Sequence, residues 1–277
     1  MSVEYIGDMD FYLWLVRPDI AIVTLIETEH TKYFGSLEKV ASEENKLTKG
    51  KWIKIINGNS PQINSQGIST FTFGLSDKFH SHIRSVSYLN DLKLNIHINQ
   101  SNQDYQITLP TIGKHLAHPL ASSLLCLEKL NLNPQSYINN LQTFQTPPHR
   151  LTLTQTSSGI SAIDDSYNSN PSSAKESINT ANEIAQLSHK DLIVVLSQMN
   201  ELGPYETSEH QKLANHIKSL NIKHIYSIGD AAKHIGTNFT TYEDLCKQLK
   251  KLKLNEKHLL LIKSSRSWKL ERLLQDL

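Results

Sequence analysis

Three features of the sequence predict an α/β protein built in two parts. Ile20-Ala-Ile-Val-Thr-Leu-Ile26 is a continuous apolar run, rich in β-branched residues, of the kind found in strands buried on both faces. Leu92, Leu94, Ile96 and Ile98 alternate with Lys93, Asn95, His97 and Asn99, the period-two pattern of a half-exposed strand. Beyond Pro148, strand-like and helix-like segments alternate, which predicts right-handed crossovers and a mostly parallel, doubly wound sheet. The length of 277 residues agrees with two domains on a prior of roughly 150 residues each.

Taken in order, Gly7 to Val16 reads as a short helix with Met9, Tyr12, Leu13 and Val16 on one face, ended by Arg17-Pro18 because proline disfavours a helical residue before it. The apolar run 20–26 follows. Ser36 is placed to cap a helix from Leu37 to about Leu47, and Trp52 to Ile56 reads as a strand. Ser101-Asn102 is a turn that pairs Asp104–Leu109 with the alternating strand, so an antiparallel hairpin joins an otherwise α/β body. Pro119–Leu130 and Pro134–Leu141 are helical. Thr146-Pro147-Pro148 is the linker, since paired prolines resist both helix and central strand. Strands are then expected near 151–154, 161–164, 192–196, 224–228 and 258–263, with helices near 172–187, 208–220, 242–252 and 269–277.

Composition excludes several classes. Hydrophobic residues at 38% and charged residues at 20% supply a core and exclude wholesale disorder. Twenty-eight Lys and Arg against 27 Asp and Glu leave a net charge of +1, without the basic excess of a nucleic-acid binder. Cys126 and Cys246 lie far apart and build neither a disulfide framework nor a zinc spacing. No stretch approaches the ~18 apolar residues of a membrane span, and MSVEYIGDMDFY has no signal-peptide character. A soluble cytoplasmic protein is expected.

Common catalytic signatures are missing. Gly50-Lys51 and Gly113-Lys114 have neither the following Ser or Thr nor the earlier glycine of a phosphate-cradling P-loop, and no G-x-G-x-x-G or G-x-S-x-G occurs. Ser36-Leu-Glu-Lys39 and Ser172-Ser-Ala-Lys175 match S-x-x-K, but both sit where a helix cap is expected. His80/His82 and His115/His118 have the spacing of metal pairs, but surface or edge-strand histidines are the favoured reading. The run Lys247, Lys250, Lys251, Lys253 fits a solvated helix face. Three loops carry more. Ile163-Asp-Asp-Ser-Tyr-Asn-Ser-Asn-Pro171, Met199-Asn-Glu-Leu-Gly203 and Lys263-Ser-Ser-Arg-Ser-Trp-Lys269 each follow a predicted strand, so all three fall on the carboxyl edge where open parallel sheets bind ligands.

Together with His30 and Phe34-Gly35-Ser36-Leu37-Glu38, these segments resemble the Mur ligase family in order and spacing over nearly the whole chain. Within it, the Met-x-Glu-Leu-Gly and Lys-x-Ser-Arg segments are similar to the members that add a dipeptide rather than a single amino acid. The resemblance implies an α/β fold with a truncated central ATPase domain over residues 1–147, a mixed sheet with an antiparallel hairpin, and then a Rossmann-like carboxyl-terminal ligase domain over 148–277. It implies an ATP- and Mg2+-dependent ligase of peptidoglycan precursor synthesis, joining D-Ala-D-Ala to UDP-MurNAc-tripeptide through an acyl phosphate. It also implies roles for residues. His30 and Glu44 lie at the magnesium site, Glu44 standing where the family carries a carbamoylated lysine. His115, Arg150, Asp165, Asn168 and Asn170 lie at the nucleotide, and Lys263 and Arg266 at the anionic substrate.

The departures from the family pattern concern the ATP machinery. The family's amino-terminal substrate domain, its P-loop and its first magnesium-binding glutamate all align before Met1, so the missing first strands are expected to leave apolar strand surface uncovered. Leu25, Leu116 and Pro119 stand where the family has asparagines, and Ser197-Gln198 replaces a Gly-Asp. Residues 1–277 are therefore expected not to catalyse the reaction alone. Three other readings stand beside this one: a non-catalytic remnant or binding module, one half of a split enzyme completed by a chain carrying the P-loop, and an unrelated α/β anion-binding domain.

Overall fold

The computed structural model describes residues 3–28, 31–65, 67 and 69–277. The chain divides into two compact units, Met1–Gln145 and Thr146–Leu277.

In the first unit, α1 (Asp8–Leu15) leads into β1 (Ile20–Val23), then α2 (Thr31–Phe34) and α3 (Leu37–Glu44). After these come β2 (Ile53–Asn57), β3 (Thr70–Gly74), β4 (Ser81–Tyr88), β5 (Leu94–Gln100) and β6 (Gln103–Leu109), followed by α4 (Ala117–Lys129) and α5 (Gln135–Ile138). The strands lie in sequence order across one sheet, β1 to β4 parallel and β4 to β6 antiparallel. The alternation in β5 is real burial: Leu94, Ile96 and Ile98 are fully enclosed beneath α4, whose Leu120, Ala121, Leu124 and Leu125 cover that face. Ser101 and Asn102 both carry positive φ, 51° and 63°, as a two-residue type I′ hairpin turn requires.

Two expectations for this unit need correction. The run 20–26 is a strand only to Val23, because the Thr24 carbonyl accepts from the Asn57 side chain instead of continuing the ladder. Nor is it buried on both faces: β1 is an edge strand and Ile22 remains 38% exposed. The helix after Ser36 ends at Glu44 and tightens into a 3-10 turn over Asn45–Thr48, where the Asn45 amide donates to the Ala41 and Gln62 carbonyls.

Glu43, next to the residue singled out for metal binding, is what holds α1. Its buried Oε1 accepts from the Gly7 and Met9 amides, both at 3.0 Å, and its Oε2 pairs with Lys46 at 2.7 Å. A carboxylate at a helix amino terminus satisfies orphan N–H groups and the helix dipole together. The anchor matters because α1 leaves Phe11, Trp14 and Leu15 exposed and buries only Met9. Glu43→Gln keeps one acceptor and loses the charge, so stability should fall by about 1–2 kcal/mol. Hydrogen exchange should then accelerate in α1 first, and unchanged protection there would contradict the assignment.

The second unit runs β7 (Thr152–Gln155), β8 (Ser161–Asp165), α6 (Pro171–Leu187), β9 (Asp191–Ser197), α7 (Glu206–Ser219), β10 (His224–Ile228), β11 (Thr237–Phe239), α8 (Tyr242–Lys251), β12 (His258–Lys263) and α9 (Leu273–Asp276). The sheet order is β11-β10-β9-β12-β8-β7, parallel except for the β7–β8 pair. The central strands β9 and β12 are apolar runs buried on both faces, as a sheet covered by helices demands. α6 starts on a capping box: Asn170 Oδ1 accepts from the Ser173 amide while Ser173 Oγ accepts from the Asn170 amide, with Pro171 at the first helical position. The cap is therefore Asn170, not Ser172. The expected terminal helix 269–277 is broken, because Lys269 sits at φ 48°. The chain closes with 3-10 turns at Arg266–Trp268 and Leu270–Arg272 before the single turn of α9. Among the described residues, no helix is long and apolar enough to cross a membrane.

Candidate functional site

The carboxyl ends of β8, β12 and β9, adjacent in the second sheet, carry the three polar loops, and hydrogen bonds tie those loops to one another. Lys263, at the end of β12, is 2% exposed; its ammonium pairs with Asp165 Oδ2 at 2.9 Å and donates to the Asn168 carbonyl at 2.5 Å. Burial pushes the Lys263 pKa down, and the Asp165 carboxylate opposes that shift. One residue on, Ser264 Oγ donates to the Ser166 carbonyl. Ser265 joins the other neighbour, its amide donating to Ser197 Oγ and its hydroxyl to the Gln198 carbonyl. Asn200 closes the ring by donating to Ser267 Oγ at 3.0 Å. The sheet thus presents a single bonded rim rather than three independent turns.

The segment entering the unit is clamped to the same rim. His149 Nδ1 lies 2.7 Å from Asp164 Oδ2, the His149 carbonyl accepts from the Tyr167 amide, and the Leu151 amide donates to Asp165 Oδ1. Between them, the exposed Arg150 lays its guanidinium 4.0 Å from the Tyr167 ring centroid. Below the Met199–Gly203 loop, His210 of α7 is fully buried. Its Nδ1 donates to the Glu206 carbonyl at 2.7 Å, and its Nε2 accepts from the Met199 amide at 2.9 Å.

The Mur ligase middle domain matches residues 1–127, and the Mur ligase glutamate ligase domain matches residues 149–266. The chain belongs to the Mur ligase family. Among curated relatives, the UDP-N-acetylmuramoyl-tripeptide–D-alanyl-D-alanine ligase of Bacillus subtilis is 26% identical, the match taking in 100% of this chain and 63% of the relative. The ligase of the same name from Buchnera aphidicola subsp. Baizongia pistaciae is 26% identical over 100% and 62%. Among solved structures, MurF from Acinetobacter baumannii superposes with a TM-score of 0.86 at 19% identity, covering 98% of this chain and 62% of that one. MurF ligase from Thermotoga maritima in complex with ADP gives 0.81 at 20% identity, covering 99% and 65%. The structural matches establish the fold. This Mur ligase chain spans about 63% of the length of its Bacillus relative.

The residues singled out in the Mur ligase pattern fall into distinct situations. Lys263 and Asp165 meet, but as each other's partner: both are buried, and the Asp165 oxygens are taken by Lys263 and Leu151. Asn170 spends its side-chain oxygen on the cap of α6. Arg266 is surface-exposed and paired with Glu271 at 2.8 Å, a contact that an incoming anion can replace. Arg150 and Asn168 face solvent on the rim. In the first unit, His115 lies in the 3-10 turn Lys114–Leu116 and Glu44 ends α3. His30 lies outside the described residues.

Magnesium is typically held by one or two carboxylates together with substrate phosphates. Among the described residues, no group of three or more His, Cys, Asp or Glu converges. Glu44 offers one carboxylate at the end of α3, so further ligands would have to complete a magnesium site there. His80 Nδ1 accepts from the Thr72 amide, and His118 packs edge-on to Phe73. The His149–Asp164 pair and the His210 strut were not visible in the sequence, since nothing in a spacing of 15 or 11 residues signals a contact.

Proposed function

We propose that this chain carries the nucleotide-facing and amine-adding parts of a ligase that joins D-Ala-D-Ala to UDP-MurNAc-tripeptide in peptidoglycan precursor synthesis. The observation that carries the reading is the bonded rim, in which the three family motifs of the second unit are held together at one sheet edge. The curated relatives named above are ligases of that reaction, which supports the choice of substrates.

Amide formation from a carboxylate needs an activated leaving group, and ATP supplies a phosphoryl group for that purpose. The amine then attacks the acyl carbon and inorganic phosphate departs. In this reading Arg150 meets nucleotide phosphate, Asn168 hydrogen-bonds the same ligand, and Arg266 exchanges Glu271 for an anionic substrate. Lys263, Asp165 and Asn170 shape the loop that presents those groups. His115 would lie on the adenine side, and Glu44 with His30 would hold the magnesium that neutralises the phosphates. The domain assignment that goes with this is a Mur ligase central domain over 1–147 and a ligase domain over 148–277.

A second reading is favoured by one observation: none of the 277 residues forms a P-loop. Phosphoryl transfer depends on positioning and neutralising phosphates, so these residues would need a phosphate cradle supplied from outside them. Residues 1–277 alone are expected to form no UDP-MurNAc-pentapeptide from ATP, tripeptide and D-Ala-D-Ala. The native protein isolated from its own cells is expected to form it. Product from residues 1–277 would remove the need for an outside cradle, and no product from the native protein would end the ligase reading.

A further inference from the structure

We propose that His149 is a ligand-contacting residue whose Nε2 accepts a hydrogen bond from a ribose hydroxyl of a bound adenine nucleotide. The inference rests on the reading that the neighbouring Arg150 meets that nucleotide.

His149 has a φ of 62°, the left-handed conformation that favours glycine, and Leu151 has a φ of 52°. Side-chain-bearing residues take this conformation at tight turns, as Ser101 and Asn102 do, and at sites where the surroundings hold the backbone for a ligand. Here the surroundings are explicit. The Tyr167 amide bonds the His149 carbonyl, the Leu151 amide bonds Asp165, and the Arg150 guanidinium stacks on Tyr167. The imidazole lies against Asp164, a buried residue whose side chain is only 6% exposed.

That contact decides the chemistry of the ring. An ionised carboxylate only accepts hydrogen bonds, and Asp164 Oδ1 already takes the Ser166 amide and hydroxyl, so Nδ1–H donates to Oδ2. In the neutral ring the lone pair then lies on Nε2. Nε2 has no hydrogen-bond partner among the described residues, and the side chain is 32% exposed. A half-buried ring with a fixed acceptor nitrogen therefore stands next in the chain to an exposed arginine.

The carboxylate that the family pattern assigns to the ribose cannot serve as easily. Asp165 is 8% exposed, and its two oxygens hold the Leu151 amide and the Lys263 ammonium. On this segment the available acceptor is the imidazole, and a ribonucleotide offers what the pair needs: phosphates for Arg150 and hydroxyl donors for Nε2.

The test uses NMR titration of the full 277-residue chain with ADP and with 2′,3′-dideoxy-ADP, which tolerates millimolar affinities. Wild type should bind ADP roughly three- to tenfold more tightly than the dideoxy analogue, the size of one net hydrogen bond. His149→Gly suits the backbone and should fold, yet bind the two nucleotides equally. His149→Gln, which restores an acceptor near the Nε2 position, should recover part of the difference. The same ratio in wild type and His149→Gly, with ADP binding intact, overturns this inference and leaves the nucleotide reading standing. No ADP binding by wild type overturns both.

Discussion

Lys263→Met should lower the stability of the Thr146–Leu277 unit by about 3–5 kcal/mol, the usual cost of removing one partner from a buried ion pair. Methionine keeps most of the volume, so the loss is electrostatic rather than a cavity. It strands the Asp165 carboxylate at 8% exposure and frees the Asn168 carbonyl, which Lys263 now holds. The second change in a double-mutant cycle is Asp165→Asn, because its remaining oxygen still accepts from the Leu151 amide. Lys263→Met/Asp165→Asn should recover at least half of the loss, since no charge is then buried without a partner. The readout is the urea midpoint of the second unit with its slope unchanged. A single mutant within about 1 kcal/mol of wild type would mean that water reaches the pair and that the rim is not held by it.

How much of this could be read from the residues depended on the range of the interaction. The hairpin was legible because Leu94, Ile96 and Ile98 alternate with polar residues over a half-buried face, and β12 was legible because a strand buried on both sides is simply apolar. β4 was missed. Its Ser-His-Ile-Arg-Ser-Val-Ser-Tyr mixes polar residues into both faces, and a register shift between Ile83 and Ser85 breaks its period. The end of β1 depends on Asn57, which bonds the Thr24 carbonyl from 33 residues away. At the rim, strand order placed three loops on one edge, but it did not show that Lys263 and Asp165 would consume each other. Sequence position conveys proximity to an edge, whereas pairing and burial decide which charges remain for a ligand.

His210→Asn should cost about 2–3 kcal/mol, because it leaves the buried Met199 amide without an acceptor and opens a small cavity. Asparagine reaches the position of Nδ1 and can still donate to the Glu206 carbonyl, whereas glutamine places its oxygen near Nε2, where Met199 needs it. His210→Gln should therefore lose less, and its Met199 amide should stay protected from exchange while that of His210→Asn should not. Acid supplies an independent readout. Burial pushes the His210 pKa below its ordinary 6.5, partly offset by the Glu206 carbonyl and by the charges of Glu206 and Glu209, while His234 adds to the lowering. The unfolded chain thus takes up this proton near pH 6.5 and the folded one only at lower pH. Stability is complete above the unfolded value and falls as the pH drops below it, by up to about 1.4 kcal/mol per unit until the folded ring protonates. Below that point the imidazolium presents N–H to the Met199 N–H, and the loop carrying Asn200 and Glu201 loses its strut. His118 and His216 are shifted down as well, so the informative quantity is the difference between wild type and His210→Gln across that window. Parallel stability curves from pH 7 to pH 5 would show that His210 carries no proton-linked stability, whereas a shallower decline in the glutamine variant is expected.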